Sequence, residues 1–312
     1  MTVHGTIGAV AGIALILSAA CTAAAGEPEL LPFPERLDPV QPPVNVAVRY
    51  RAIKPAPYRV TLRWGPERTP ELYRLDVSGT VEIQPGQGGP AMLIERTPTQ
   101  FMAGPNRSER RDGGRIVAAL SPRGELRRVE IKLPGLDSND HRRQFEDIGR
   151  TLIDTGFFPT FRRLLVRAGP EDAGGDAQST RERAARGDLV EAFQPLLGLA
   201  IGYPEEGLFT GQRLVLIRRD LGDLFRGAGP IPVTVSGEIK GLADAGGRRV
   251  LALRIDKGEA PRPLRLNAAG YALIDIENGL VTSLSADLEL VVLHGTEASV
   301  FRFAERRALG RP

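Results

Sequence analysis

From Asn45 onward the chain alternates apolar and polar residues in short segments punctuated by glycine and proline, the pattern of an antiparallel β protein. The clearest case is Tyr58-Arg59-Val60-Thr61-Leu62-Arg63-Trp64, where every second residue is apolar. Successive side chains on a strand point to opposite faces, so Tyr58, Val60, Leu62 and Trp64 share a buried side while Arg59, Thr61 and Arg63 share a wet one. The same pattern predicts a first set of strands over 46–53, 58–64, 72–83, 91–103, 115–120 and 125–133. A second set follows over 213–218, 232–240, 248–256, 264–267, 271–276, 280–293 and 299–303. Pro98 has no N–H to give a ladder, so the fourth strand is bent there or lies on an edge. Asn278-Gly279 between two alternating runs predicts a tight type I′ hairpin, and Ala245-Gly246-Gly247 predicts another.

Helical spacing is confined to the middle of the chain, 138–204. Ser138 or Asn139 can cap a helix whose apolar face is Phe145, Ile148, Leu152 and Ile153. Such a helix is expected to lie against the sheet. Phe157, Phe158 and Phe161 continue the apolar material, 169–179 reads as a polar glycine-rich loop, and 180–194 is helical again. The following stretch is apolar but broken by glycine and proline. Its Leu197, Leu199, Ile201 and Tyr203, with the three phenylalanines, form either a core crossing or the wall of an apolar pocket. The strands on either side, 45–135 and 212–304, are either copies of one unit or unrelated. A slide of 155 residues lays Ile116–Leu120 over Tyr271–Asp275, but hairpins resemble one another for physical reasons alone. The expected architecture is mainly β, a β-rich α+β fold: one or two curved, half-barrel-like antiparallel sheets with a central helical insertion.

The first 26 residues carry no Lys, Arg, Asp or Glu, and Ile7 to Leu17 is an apolar run of signal-peptide length. It is shorter than the roughly 20 residues that span a bilayer. Residues 1–25 therefore read as a signal peptide, cut either before Cys21, with lipidation of that cysteine, or after Ala25 at Ala23-Ala24-Ala25. The Ser18-Ala19-Ala20-Cys21 box has the small residues that lipidation needs, although Leu17 stands one place early. Thr22 lacks the Asp that resembles an inner-membrane retention signal, so an outer-membrane lipoprotein on the periplasmic side is favoured over a soluble periplasmic protein. Residues 26–44 hold six prolines between Glu27 and Pro43. Such density favours extended chain, either as a tether or as an ordered strap along the domain at 45–312.

Composition changes this picture little. The chain is 42% hydrophobic and 25% charged, which suits a folded core, and its net charge of +3 points to no polyanion. With Cys21 as its only cysteine the chain makes no internal disulfide, so stability comes from burial. His4 leaves with the signal, and His141 and His294 lack metal-ligand spacing. Asp137, Asp140 and His141 are explained by a helix start. There is no Gly-x-Ser-x-Gly elbow and no phosphate loop, so neither catalytic residues nor metal ligands nor cofactors are assigned. Glu205-Glu206 and Asp275/Glu277 read as solvated turn carboxylates. The basic clusters Arg107–Arg111, Arg127-Arg128, Arg181–Arg186 and Arg306-Arg307 read as solvated faces, since acids interleave and no aromatic platform for nucleic acid accompanies them.

The order of signal with terminal cysteine, proline-rich segment, long antiparallel strands and helical insertion resembles envelope lipoproteins of the LolA, LolB and LppX half-barrel type. The resemblance implies a curved sheet around an apolar cavity that carries acyl chains, and no single residue is carried over from it. The resulting expectation is a non-enzymatic envelope lipoprotein, joined to the membrane by its N-terminal lipid, whose partner is a lipid or another envelope protein. The alternatives are a structural or assembly protein with a filled core and, with least support, an envelope hydrolase.

Overall fold

The computed structural model describes residues 27–41, 48–86, 89–96, 99–104, 108–111, 114–124, 126–132, 202–220, 232–294 and 297–311. The helical stretch predicted before residue 202 lies outside them. Among the described residues the fold is all β. Its strands are β1 (Ile53–Pro66), β2 (Tyr73–Gln84), β3 (Ala91–Arg96), β4 (Thr99–Ala103), β5 (Ser108–Arg111), β6 (Gly114–Leu120), β7 (Leu126–Lys132), β8 (Arg213–Asp220), β9 (Pro232–Ala245), β10 (Arg248–Glu259), β11 (Arg265–Asp275), β12 (Val281–His294) and β13 (Glu297–Leu309). All thirteen join one antiparallel sheet with the path β7, β6, β3, β2, β1, β13, β12, β11, β10, β9, β8, and β4 and β5 extend it beside β2. The strands before and after the central segment are therefore one sheet, sewn together where β1 pairs with β13 from Tyr58↔Leu309 to Pro66↔Phe301.

Several strands differ from the alternation pattern, each for a local reason. Ile53 opens β1 instead, and the first predicted strand, 46–53, does not form over 48–52. There the Tyr50 N–H donates to the Pro122 carbonyl, and the Arg49 backbone lies beside the Gly279 turn, so this segment serves as a wedge between two turns. The predicted strand 91–103 is two strands, β3 and β4, which both pair with β2; Pro98 lies outside the described residues. β5, within the Arg107–Arg111 cluster, pairs with β4. The predicted strands 264–267 and 271–276 are one, β11, which passes through Gly270 at φ +141°. β13 runs six residues beyond its predicted end at Phe303.

The type I′ geometry belongs to the other hairpin. Gly246 (φ +55°) and Gly247 (φ +68°) form the two-residue turn between Ala245 and Arg248. No residue other than glycine has positive φ among the described residues, so Asn278 cannot be half of such a turn. Instead Asp275 organises a longer loop. It is buried, and its carboxylate accepts from the Glu277 N–H at 2.8 Å and from Asn278 Nδ2 at 2.8 Å, with Arg248 Nε 3.9 Å away. The reading of Asp275 as a solvated carboxylate is therefore corrected: two local donors and a nearby guanidinium offset its loss of water.

The sheet has one continuous apolar face, called inner here. On β1 and β2 it presents Tyr58, Val60, Leu62, Leu75, Val77, Val81 and Ile83; the second half continues it through Ile239, Leu251, Leu253, Ala272, Ile274, Leu284 and Leu290. The β1 alternation is as expected, with Arg59, Thr61 and Arg63 on the opposite, outer face. Burying a side chain of this size contributes about 1.5–3 kcal/mol, so this face dominates the stability of the domain. Register shifts in β1, β7, β9, β10 and β12 ladders bend the strands locally.

Residues 27–41 are a strap across the outer face. Arg59 Nη1 on β1 donates to Glu27 at 2.9 Å; the Leu31 N–H donates to Ser283 Oγ on β12, and Tyr271 Oη on β11 donates to the Leu31 carbonyl. Phe33 packs edge-on against Tyr271 and lies under the Arg254 guanidinium of β10, 3.5 Å from its ring centre. Asp38 exchanges two backbone hydrogen bonds with Leu242 of β9, and Val40 exchanges bonds with Thr210 before β8. Of the two readings of this proline-rich segment, the strap describes 27–41. Leu31, Phe33 and Leu37 cover a small outer cluster of Ala243, Val250, Ala252 and Leu273.

Candidate ligand-binding face

Register places two ionisable residues in the middle of the inner apolar face. On β13, Arg307 lies between Val60 of β1 and Leu284 of β12, and Glu305 lies between Leu62 and Ala286. Each is only about 1% exposed, and Arg307 is the largest fully buried side chain among the described residues. They hold each other: Arg307 donates through Nε and approaches through Nη2 to Glu305 Oε1. The reading of Arg306-Arg307 as a solvated face is thus half right. Arg306 points outward and donates to Asp287 at 2.7 Å, whereas Arg307 is a core residue. A signal for this existed: Phe301, Phe303, Glu305, Arg307 and Leu309 share one alternation phase, so a strand that continues past Phe303 must turn both charges inward.

Tyr203 is the one described residue of the predicted pocket wall. It is buried, donates through its hydroxyl to the Gly279 carbonyl at 2.7 Å, and lies against Tyr50 with ring centres 5.7 Å apart. Burial first, then the neighbouring Tyr50 hydroxyl, hold its phenol well above the ordinary tyrosine value. Tyr203 thereby ties the chain before β8 to the turn after β11. Phe157, Phe158, Phe161, Leu197, Leu199 and Ile201, and the candidate lipidation residue Cys21, lie outside the described residues.

The outer face is ionic. Arg63 pairs with Glu71 at 2.7 Å, Arg302 with Glu67 at 3.0 Å, and Arg213 with Asp256 at 2.7 Å. A shallow groove of about 470 Å³ runs over Ala269 and Ala304 between Arg63, Glu71, Asp287, Glu289 and Arg302. Exposed pairs of this kind contribute little to stability, because water and salt screen them. Arg213 and Asp256 are held further toward their charged forms by their mutual hydrogen bonds. Glu205 pairs with Arg123. No cluster of three metal-ligating side chains exists among the described residues, and no helix among them is long and apolar enough to cross a membrane.

No protein-family model matches the chain, and no curated protein is similar to it in sequence.

Proposed function

We propose that this chain is an exported, non-enzymatic cell-envelope lipoprotein, anchored through Cys21, whose single sheet curves as a half-barrel and binds a lipid or another apolar molecule on its inner face. The observation that carries the reading is the extent of that face: apolar side chains from β1, β2, β3 and β8 to β13 form one cluster on one side of one sheet. The anchor reading draws support from the strap. It is docked from Glu27, six residues after Cys21, a reach of about 20 Å at full extension. A lipid on Cys21 would hold the domain close to the bilayer surface. The outer membrane is the favoured site, with Thr22 at the position after the cysteine.

A second reading is favoured by a specific observation. Leu75, Val81, Leu251, Leu253, Ile274, Leu284 and Leu290 have no accessible surface at all. A core filled in this way suits a structural or assembly partner of an envelope complex that binds no small molecule. A hydrolase has less behind it, since Asp275 is committed to its turn and Glu205 to Arg123.

Membrane fractionation with metabolic fatty-acid labelling tests the anchor. The wild-type chain is expected to take label and sediment with membranes, and Cys21→Ala to lose the label and move to the soluble fraction. Unlabelled, freely soluble protein in both cases contradicts lipidation and leaves cleavage after Ala25 as the remaining processing route.

A further inference from the structure

We propose that Asn278 is a deamidation site that the folded loop after β11 holds in check, with Asp275 as the residue that guards it. Asn-Gly occurs once in the chain, at Asn278-Gly279. Such a pair is labile because glycine has no Cβ to keep the next backbone nitrogen away from the asparagine side chain. That nitrogen, once it has lost its proton, attacks Cγ. The new N–C bond closes a succinimide ring, the Cγ–Nδ2 bond breaks and ammonia leaves. Water then opens the ring at either carbonyl and leaves an aspartyl or isoaspartyl carboxylate at position 278. The reaction needs only water.

The loop opposes each requirement of that chemistry. The Gly279 N–H, which has to be deprotonated, donates to the Asp275 carbonyl at 2.8 Å. The Asn278 amide is clamped at both ends: Nδ2 donates to Asp275 Oδ2 at 2.8 Å, and Oδ1 accepts from the Leu280 N–H at 2.9 Å. Gly279 itself is buried, and its carbonyl accepts from Tyr203 Oη at 2.7 Å. Ring closure brings the Gly279 nitrogen onto the Asn278 side chain, so these bonds have to break first, and deamidation proceeds only through local opening of the loop.

The change is one-way. It replaces the Nδ2 donor by a carboxylate oxygen that faces the buried Asp275 carboxylate, and two acids sharing one buried place repel. The loop is then kept from reclosing, and the tie from Tyr203 to the Gly279 carbonyl is weakened with it. Asn278 thus keeps a permanent chemical record of opening at this end of the sheet.

The test incubates native and guanidinium-unfolded full-length chain side by side at mildly alkaline pH. Deamidation at Asn278 is followed by peptide mapping with mass spectrometry, and isoaspartate is read by enzymatic methyl transfer. The native chain is expected to deamidate there more slowly by about ten-fold or more, because the reaction waits on loop opening. D275N keeps the shape of the side chain but turns one acceptor oxygen into a donor; it should raise the native rate several-fold and leave the unfolded rate unchanged. Equal rates in native and unfolded wild type overturn the protection, a comparison that does not depend on D275N folding. A folded D275N chain that deamidates as slowly as wild type overturns the part assigned to Asp275. N278D, the direct product, should unfold at a lower guanidinium concentration than wild type, and an unchanged midpoint overturns the one-way consequence.

Discussion

Glu305→Leu alone is expected to lower folding stability by about 3–5 kcal/mol, whereas the double replacement E305L/R307M returns it to the wild-type value or above. The single change leaves the Arg307 guanidinium, about 1% exposed, among Val60, Leu284 and the rest of the inner face without its carboxylate. The double change removes both desolvation costs and adds apolar surface where its neighbours are already apolar. Urea unfolding measures both. Because a typical domain has only about 5–15 kcal/mol in total, the single variant should show a much lower midpoint or poor soluble yield. A single variant within about 1 kcal/mol of wild type would mean that the two charges are not buried together.

Gly270→Val is the second large effect. Gly270 sits in mid-strand at φ +141°, a conformation essentially confined to glycine, and a Cβ there would land on the Ser285 carbonyl oxygen of β12. Backbone strain and a clash with the neighbouring ladder add, so a loss of about 3 kcal/mol or more is expected. Gly211→Ala provides the comparison. Gly211 also has positive φ, +93°, but nothing lies within 4 Å of its would-be Cβ, so only strain of about 1–2 kcal/mol is expected. Equal losses at the two sites in thermal unfolding would show that the tight approach of β11 to β12 at Gly270 contributes nothing.

The predominance of antiparallel β structure was legible in the sequence because strand alternation is a local property. Tyr58 to Trp64 alternates cleanly and does so in the sheet, with the expected residues inward. What local reading missed was set by distant partners. Arg307 looks like surface charge until β13 is seen pairing from Tyr58 to Pro66 of β1, which carries the strand through Leu309 and the charges into the core. Asp275 looks like a turn carboxylate until Arg248 and Asn278 are seen closing on it. The prolines after Glu27 announce extended chain, but its docking depends on Tyr271 and Arg254, more than 200 residues away, meeting Phe33. Asn278-Gly279 has a strong turn signature, yet only Gly279 takes positive φ, because the Asp275 side chain holds the preceding residues in a longer loop. The burial of Tyr203 follows from its apolar context, whereas the burial of Glu305 and Arg307 required the length of β13.

Native mass spectrometry of the Cys21→Ala chain, extracted gently in detergent, tests the ligand-binding role of the inner face most directly, because this variant carries no covalent acyl group to confuse with a bound one. The account predicts a second mass state, heavier by one acyl-chain-bearing molecule and released by organic solvent. A single mass state equal to the bare chain, from material that never met organic solvent, would contradict it.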